Sequence, residues 1–262
     1  MLGNFDKRLY QFFILWYGCG VVLLAFDLLP PFLEWANTVF LILAGLLGGV
    51  FFMRNYGTVI GSFLAILIII FTIFIEWIGV QFGLFFGHYY YNPDFGLVLF
   101  DVPVTIGFAW LMVIATTHVI AKQITHSQKN VTFQWLSYSL IGSIAAVIMD
   151  LILDPVAFII KEYWIWNGTG LYYGIPFSNF LGWFFLAFTL HTFLFLILHI
   201  LKRWKTNRDE GWMQRMVILY HLIIFMFVII AATGQLWLAI AITLSLVGAL
   251  FYLYKRFKEV TP

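Results

Sequence analysis

Charge is what this chain has least of. Lysine, arginine, aspartate and glutamate make up 10% of its 262 residues, where an ordinary soluble domain carries roughly 25%. Cysteine is almost absent. Cys19 is the only one, which excludes an internal disulfide and any thiolate metal cluster. No glycine-rich phosphate loop follows a strand pattern, so a dinucleotide site is not expected. The 6 histidines do not gather into the His-x-x-x-His and His-x-x-His-His sets that a membrane di-iron oxygenase needs. No metal site is expected, and no basic face or motif points to nucleic acid. Low charge with 63% hydrophobic residues and a mean hydropathy of +0.97 leaves an integral membrane protein.

Apolar runs of bilayer-spanning length fall at 9–28, 37–53, 58–84, 97–121, 133–154, 177–201, 213–233 and 236–254. They predict an all-α, polytopic membrane helical bundle of about eight transmembrane helices, one domain over 1–262. The last two runs are parted only by Thr233, Gly234 and Gln235, which leaves a tight hairpin or one long helix. Lys7 and Arg8 precede the first run as in a signal peptide, but no small-residue cleavage site follows, so a retained helix is expected. With eight spans, Lys7, Arg8, Arg54, Lys122, Lys129, Lys202, Arg203, Lys205, Arg208, Arg215, Lys255, Arg256 and Lys258 share the side of the termini. Lys161 alone falls opposite. The positive-inside rule then sets both termini in the cytoplasm, in a multi-pass protein of the cell membrane. Asp27, Glu34, Glu76, Asp94, Asp101, Asp150, Asp154 and Glu162 lean to the outer half.

At 1.5 Å per residue, Glu76 lies about 27 Å, and Asp150 about 26 Å, from the inner ends of their spans. Asp101 opens the fourth span and Asn179 the sixth, so groups from four helices reach one shallow outer level. Asp150 and Asp154 are one turn apart and share a helix face. Carboxylates at membrane depth are costly and usually functional. Asp150, Asp154, Glu76 and Asp101 are therefore the candidate catalytic residues. Each has a plainer reading. Asp154, just before Pro155, could be a solvated helix end, Glu76 a structural hydrogen bond, and Asp101 an N-cap two residues before Pro103. Tyr163, Trp164, Trp166, Tyr172 and Tyr173 could form an interfacial belt.

Over about 70–190 the chain resembles the CruF-type membrane carotenoid hydratases, also called carotenoid biosynthesis proteins. The resemblance rests on DLILDP followed by W-x-W-x-x-x-G-x-YYGIPFSNFLGW, with FIEWIGVQFGLFFGHYYY and DVPVTIGFAW upstream. It implies a wholly helical, cofactor-free enzyme that adds water across the terminal 1,2 double bond of an acyclic carotenoid, giving a tertiary alcohol. The implied partners are an acyclic carotenoid, water and lipid, with other enzymes of the carotenoid pathway as neighbours.

That reaction needs a carboxylic acid to protonate the alkene and a group to take a proton from water. Asp150 is the candidate acid, with Asp154 or Glu76 as base. Trp166, Tyr173 and Trp183 are candidates to face the carbocation, and Asn179 to hold water or orient an acid. Two other classes stay open. A UbiA-like membrane prenyltransferase would hold Mg²⁺ and an isoprenyl diphosphate on paired aspartates, but the outer side offers only Lys161 for phosphate. A transporter built on intramembrane acids would need polar residues continuing to the inner face.

Overall fold

The computed structural model describes residues 2–26, 28–33, 35–93, 95–206 and 209–259. The expected outer acids Asp27, Glu34 and Asp94 and the inner Arg208 lie outside the described residues. The chain is 78% helical, and among the described residues eight helices are long and apolar enough to cross a membrane. They are α1 (Leu2–Ala25), α2 (Trp35–Tyr56), α3 (Thr58–Phe82), α4 (Val104–Thr125), α5 (Val131–Pro155), α6 (Phe177–Ile200), α7 (Glu210–Thr233) and α8 (Trp237–Glu259). Four short strands, β1 (Tyr89–Tyr91), β2 (Val98–Leu99), β3 (Val102–Pro103) and β4 (Trp164–Trp166), lie between them at the end away from the termini.

α4 is the axis of the bundle, buried along most of its length and flanked by α2, α3, α5 and α7. Apolar side chains gain little by leaving lipid for protein, so close backbone approach carries the packing. The α2 sequence Ala-Gly-Leu-Leu-Gly-Gly supplies it. A Cβ at Gly45 would lie 2.5 Å from the Phe108 carbonyl oxygen, and one at Gly48 would lie 3.0 Å from the Ala115 Cβ. On the termini side the helices are tied by buried polar groups. The Lys122 ammonium donates to the Tyr56 hydroxyl and to the Thr206 carbonyl, and His118 bonds Tyr56 and Tyr138 through its two ring nitrogens.

α5 does not end before its proline. Pro155 lies within the helix, and a π-helical turn carries the chain on through Ile160. Pro155 has no N–H for the carbonyl four residues back. That carbonyl, on Leu151, accepts the Tyr172 hydroxyl at 2.6 Å instead. A kink is tolerated at membrane depth only when the freed backbone group finds such a partner.

The fourth span begins later than its hydropathy predicts, at Val104 rather than 97. Val98 and Leu99 pair with Val102 and Pro103 across a two-residue reversal, in which Phe100 and Asp101 have φ of 52° and 63°. Both central residues of such a turn need positive φ to match the strand twist. The segment is apolar, but it reverses direction before entering the bundle.

Candidate active site

A two-stranded antiparallel ribbon, β1 with β4, closes the end away from the termini. Tyr89 stands opposite Trp166, Tyr90 opposite Ile165 and Tyr91 opposite Trp164. Strand side chains alternate between faces and opposite residues share a face. Tyr89, Tyr91, Trp164 and Trp166 therefore point one way, into the bundle, while Tyr90 is half exposed on the other. The four inward rings pack on one another, with centroids 5.0 Å apart for Tyr89 and Trp166 and 5.4 Å for Tyr89 and Tyr91. Each also carries one N–H or O–H donor, and each donor is spent on a buried acid.

Glu76, on α3, takes two of them. Its Oε2 accepts the Tyr89 hydroxyl at 2.5 Å and the Tyr91 hydroxyl at 2.9 Å. Its Oε1 accepts the Trp110 indole N–H from α4 at 2.9 Å. Burial, and then the facing Glu76, hold both phenols well above their usual 10.0, so they remain donors across the physiological range. Asp154 takes the other two. Its Oδ1 accepts Trp164 Nε1 at 2.6 Å and, more weakly, Trp166 Nε1 at 3.4 Å.

Asn179, in the first turn of α6, joins the two aspartates. Its Nδ2 donates to Asp150 Oδ2 at 2.9 Å and to Asp154 Oδ2 at 2.7 Å. Asp150 and Asp154 are 0% and 1% exposed, which sets aside the reading of Asp154 as a solvated helix end. The donors are shared unequally. Glu76 and Asp154 each accept three hydrogen bonds, Asp150 accepts one, and Asp150 Oδ1 is buried without a partner among the described residues.

These groups border a narrow slot with a volume of about 80 Å³ wide enough for water-sized molecules. Glu76, Tyr89, Tyr91, Trp164, Trp166 and Asn179 line its polar end. Its apolar walls include Phe40 and Leu41 of α2, Ile106 and Val113 of α4, and Ile223 and Phe227 of α7. Trp110 and Trp183 pack against each other along it, centroids 4.3 Å apart and planes tilted by 33°. Asp150 and Asp154 stand one hydrogen bond behind the wall, held by Asn179 and the two ribbon tryptophans.

The structure thus brings together Glu76, Asp150, Asp154, Asn179, Trp166 and Trp183. It leaves out two expected residues. Asp101 is exposed at the tip of the β2–β3 reversal, where its carboxylate accepts Gln81 Nε2 at 2.8 Å. It does not cap α4 either, since Pro103 holds the N-cap position with no side-chain hydrogen bond. Tyr173 is the first central residue of a second reversal, where Tyr172 bridges Ile175 and Tyr173 and Gly174 have φ of 53° and 78°. Its hydroxyl accepts the Ala239 backbone N–H of α8 at 3.2 Å. Neither Asp101, exposed at its turn, nor Tyr173, half-buried against α8, lines the slot.

Tyr89, Tyr91, Trp110 and the donor role of Trp164 were not legible as site features. The one available signal was the aromatic run Tyr-Tyr-Tyr and the alternation of Trp-Ile-Trp, which suit strands; nothing in the sequence marked Trp110.

Fold and site together define a polytopic helical membrane protein with a buried acid cluster at the end of an apolar slot. The chain belongs to the carotenoid biosynthesis protein family, whose model matches residues 36–250. That match contains every residue of the cluster. Neither a curated protein nor a solved structure matches the chain.

Proposed function

We propose that the protein is a carotenoid 1,2-hydratase, adding water across the terminal double bond of an acyclic carotenoid end group. The observation that carries this reading is the uneven sharing of donors among three buried acids beside an apolar slot. A carboxylate is acceptor-only and suits many donors, whereas a carboxylic acid carries an O–H that must be given to something. Glu76 and Asp154, with three donors each, have the surroundings of the first form; Asp150, with one donor and one buried oxygen without a partner among the described residues, has too few to hold a charge and leaves its O–H to be given to substrate.

The slot is narrow and its walls are mostly apolar, as a polyene end requires. Asp150 supplies the proton to the less substituted alkene carbon, once the Asn179 amide releases it toward the slot. Positive charge develops on the tertiary carbon, where the Trp110 and Trp183 ring faces and the Glu76 carboxylate offset it. Water attacks that carbon, and its released proton passes to Glu76. Proton return from Glu76 to Asp150 restores the starting state, so the sum is alkene plus water giving tertiary alcohol. Asn179, kept in place by Asp154, takes Asp150 back at the end of the cycle.

The test is isotopic. Membranes containing the protein, given an acyclic carotenoid such as lycopene without air in H₂¹⁸O, should yield a 1-hydroxy carotenoid labelled at the new hydroxyl. Label from ¹⁸O₂ instead, or a strict need for oxygen, ends the acid–base account.

A further inference from the structure

We propose that a small polar recess on the face away from the termini is the water port of the slot, and that Asn37 positions the attacking water. This rests on the hydratase reading above. Hydration consumes one water per turnover, so a slot with apolar walls needs a supply. The recess is bordered by Asn37, Thr38, Asn92 and Lys161, and it holds about 80 Å³ wide enough for water. That exceeds the roughly 10–15 Å³ that one water needs. It adjoins the slot directly, because Asn37, Phe95 and Tyr163 line both spaces.

Phe95 and Tyr163 stack with centroids 4.5 Å apart and 24° between their planes, forming a rigid apolar sill. Phe95 also stacks on Tyr91, whose hydroxyl is already committed to Glu76. Asn37 is the polar gap in this sill. Its Nδ2 is buried and has no hydrogen-bond partner among the described residues. A buried amide N–H left without a partner is costly, and ordered water is the usual remedy. A water held there has Glu76 on the slot side to take its proton and the recess behind it for replacement. Asn37 is thus a positioning residue, acting on the water rather than on the carotenoid.

The partition of the carbocation tests this. If water fails to arrive, the cation loses a proton and returns to alkene. In D₂O, that return leaves deuterium in the recovered carotenoid. Full-length protein in membranes, supplied with an acyclic carotenoid in D₂O, should form mainly alcohol. Asn37→Leu should lower alcohol formation by about tenfold, the worth of one well-placed hydrogen bond, while deuterium in recovered alkene rises relative to alcohol. Asn37→Ser, which keeps a polar group and leaves room for a second water, should restore the partition toward alcohol. Unchanged alcohol yield and partition in Asn37→Leu would overturn the proposal. So would a parallel loss of alcohol and exchange in both variants, the mark of general damage to the fold. Wild-type protein that exchanges deuterium but makes no alcohol would end the hydratase reading, and this inference with it.

Discussion

Trp110 donates its indole N–H to Glu76 across the α3–α4 interface at 2.9 Å, and neither residue is more than 5% exposed. The bond ties the central helix to the acid cluster, while the same indole packs on Trp183 of α6. Trp110→Phe keeps much of the ring and removes the donor. Leaving a buried acceptor short of a partner costs about 1–3 kcal/mol. Thermal unfolding in detergent should show that loss, and alkene hydration should fall with it. Unchanged stability and turnover would mean that the bond does not hold Glu76.

The two aspartates should separate on substitution. Asp150→Asn keeps the shape and removes the proton, so turnover should drop by about 10²–10⁴-fold or more in protein that still folds. Asp154→Asn removes charge from a group already supplied with donors, and its loss should be smaller. Near-normal turnover in folded Asp150→Asn would move the acid to Glu76, the carboxyl that lines the slot.

Asp101 should be dispensable. It sits exposed in a turn with φ of 63°, where glycine pays no steric penalty. Asp101→Gly should leave hydration within about twofold of wild type and stability unchanged or slightly higher, since only one exposed hydrogen bond is lost. Asp101→Val should destabilise by about 1–2 kcal/mol, because a β-branched residue resists positive φ. A large activity loss in Asp101→Gly would return this carboxylate to the site.

The ribbon phenols set an alkaline limit. Tyr89 and Tyr91 are raised by burial and by Glu76 well above the 10.0 of an exposed phenol. Above that pH the unfolded chain gives up these protons and the folded chain keeps them. Stability therefore falls as pH rises through about 10. Absorbance titration should show the two phenols ionising only together with loss of the fold, and Tyr89→Phe should soften that limit. Smooth, reversible titration of every tyrosine near 10 would contradict the buried ribbon.

By sequence position, thirteen of the 14 basic residues belong to the termini side of the eight spans, and the positive-inside rule predicts that side to be cytoplasmic. A reporter fused after Pro262 should be active only inside the cell. An external signal would invert the topology, and with it the side from which water enters.

The amino-acid sequence by itself determined the membrane class, the eight helices and the depth of the acids. Hydropathy over about 20 residues is a local property, and rise per residue converts position into depth. Glu76, Asp101, Asp150 and Asn179 were readable as one level for that reason, and Asp154 as a partner one turn from Asp150. Azimuth was not readable. These helices are apolar on every side, so periodicity does not mark which face meets which neighbour. Only the tertiary structure decided that the Asn179 amide bridges two aspartates and that Trp110 reaches Glu76. Only the ribbon register, a pairing across more than 70 residues of chain, put two tyrosines on one acid and two tryptophans on another. Asp101 and Tyr173 were assigned by depth and composition, and both sit in backbone reversals with positive φ, outside the lining of the slot. Depth follows from counting along one helix. Convergence depends on how several helices and a ribbon rotate against one another, and that is settled by packing.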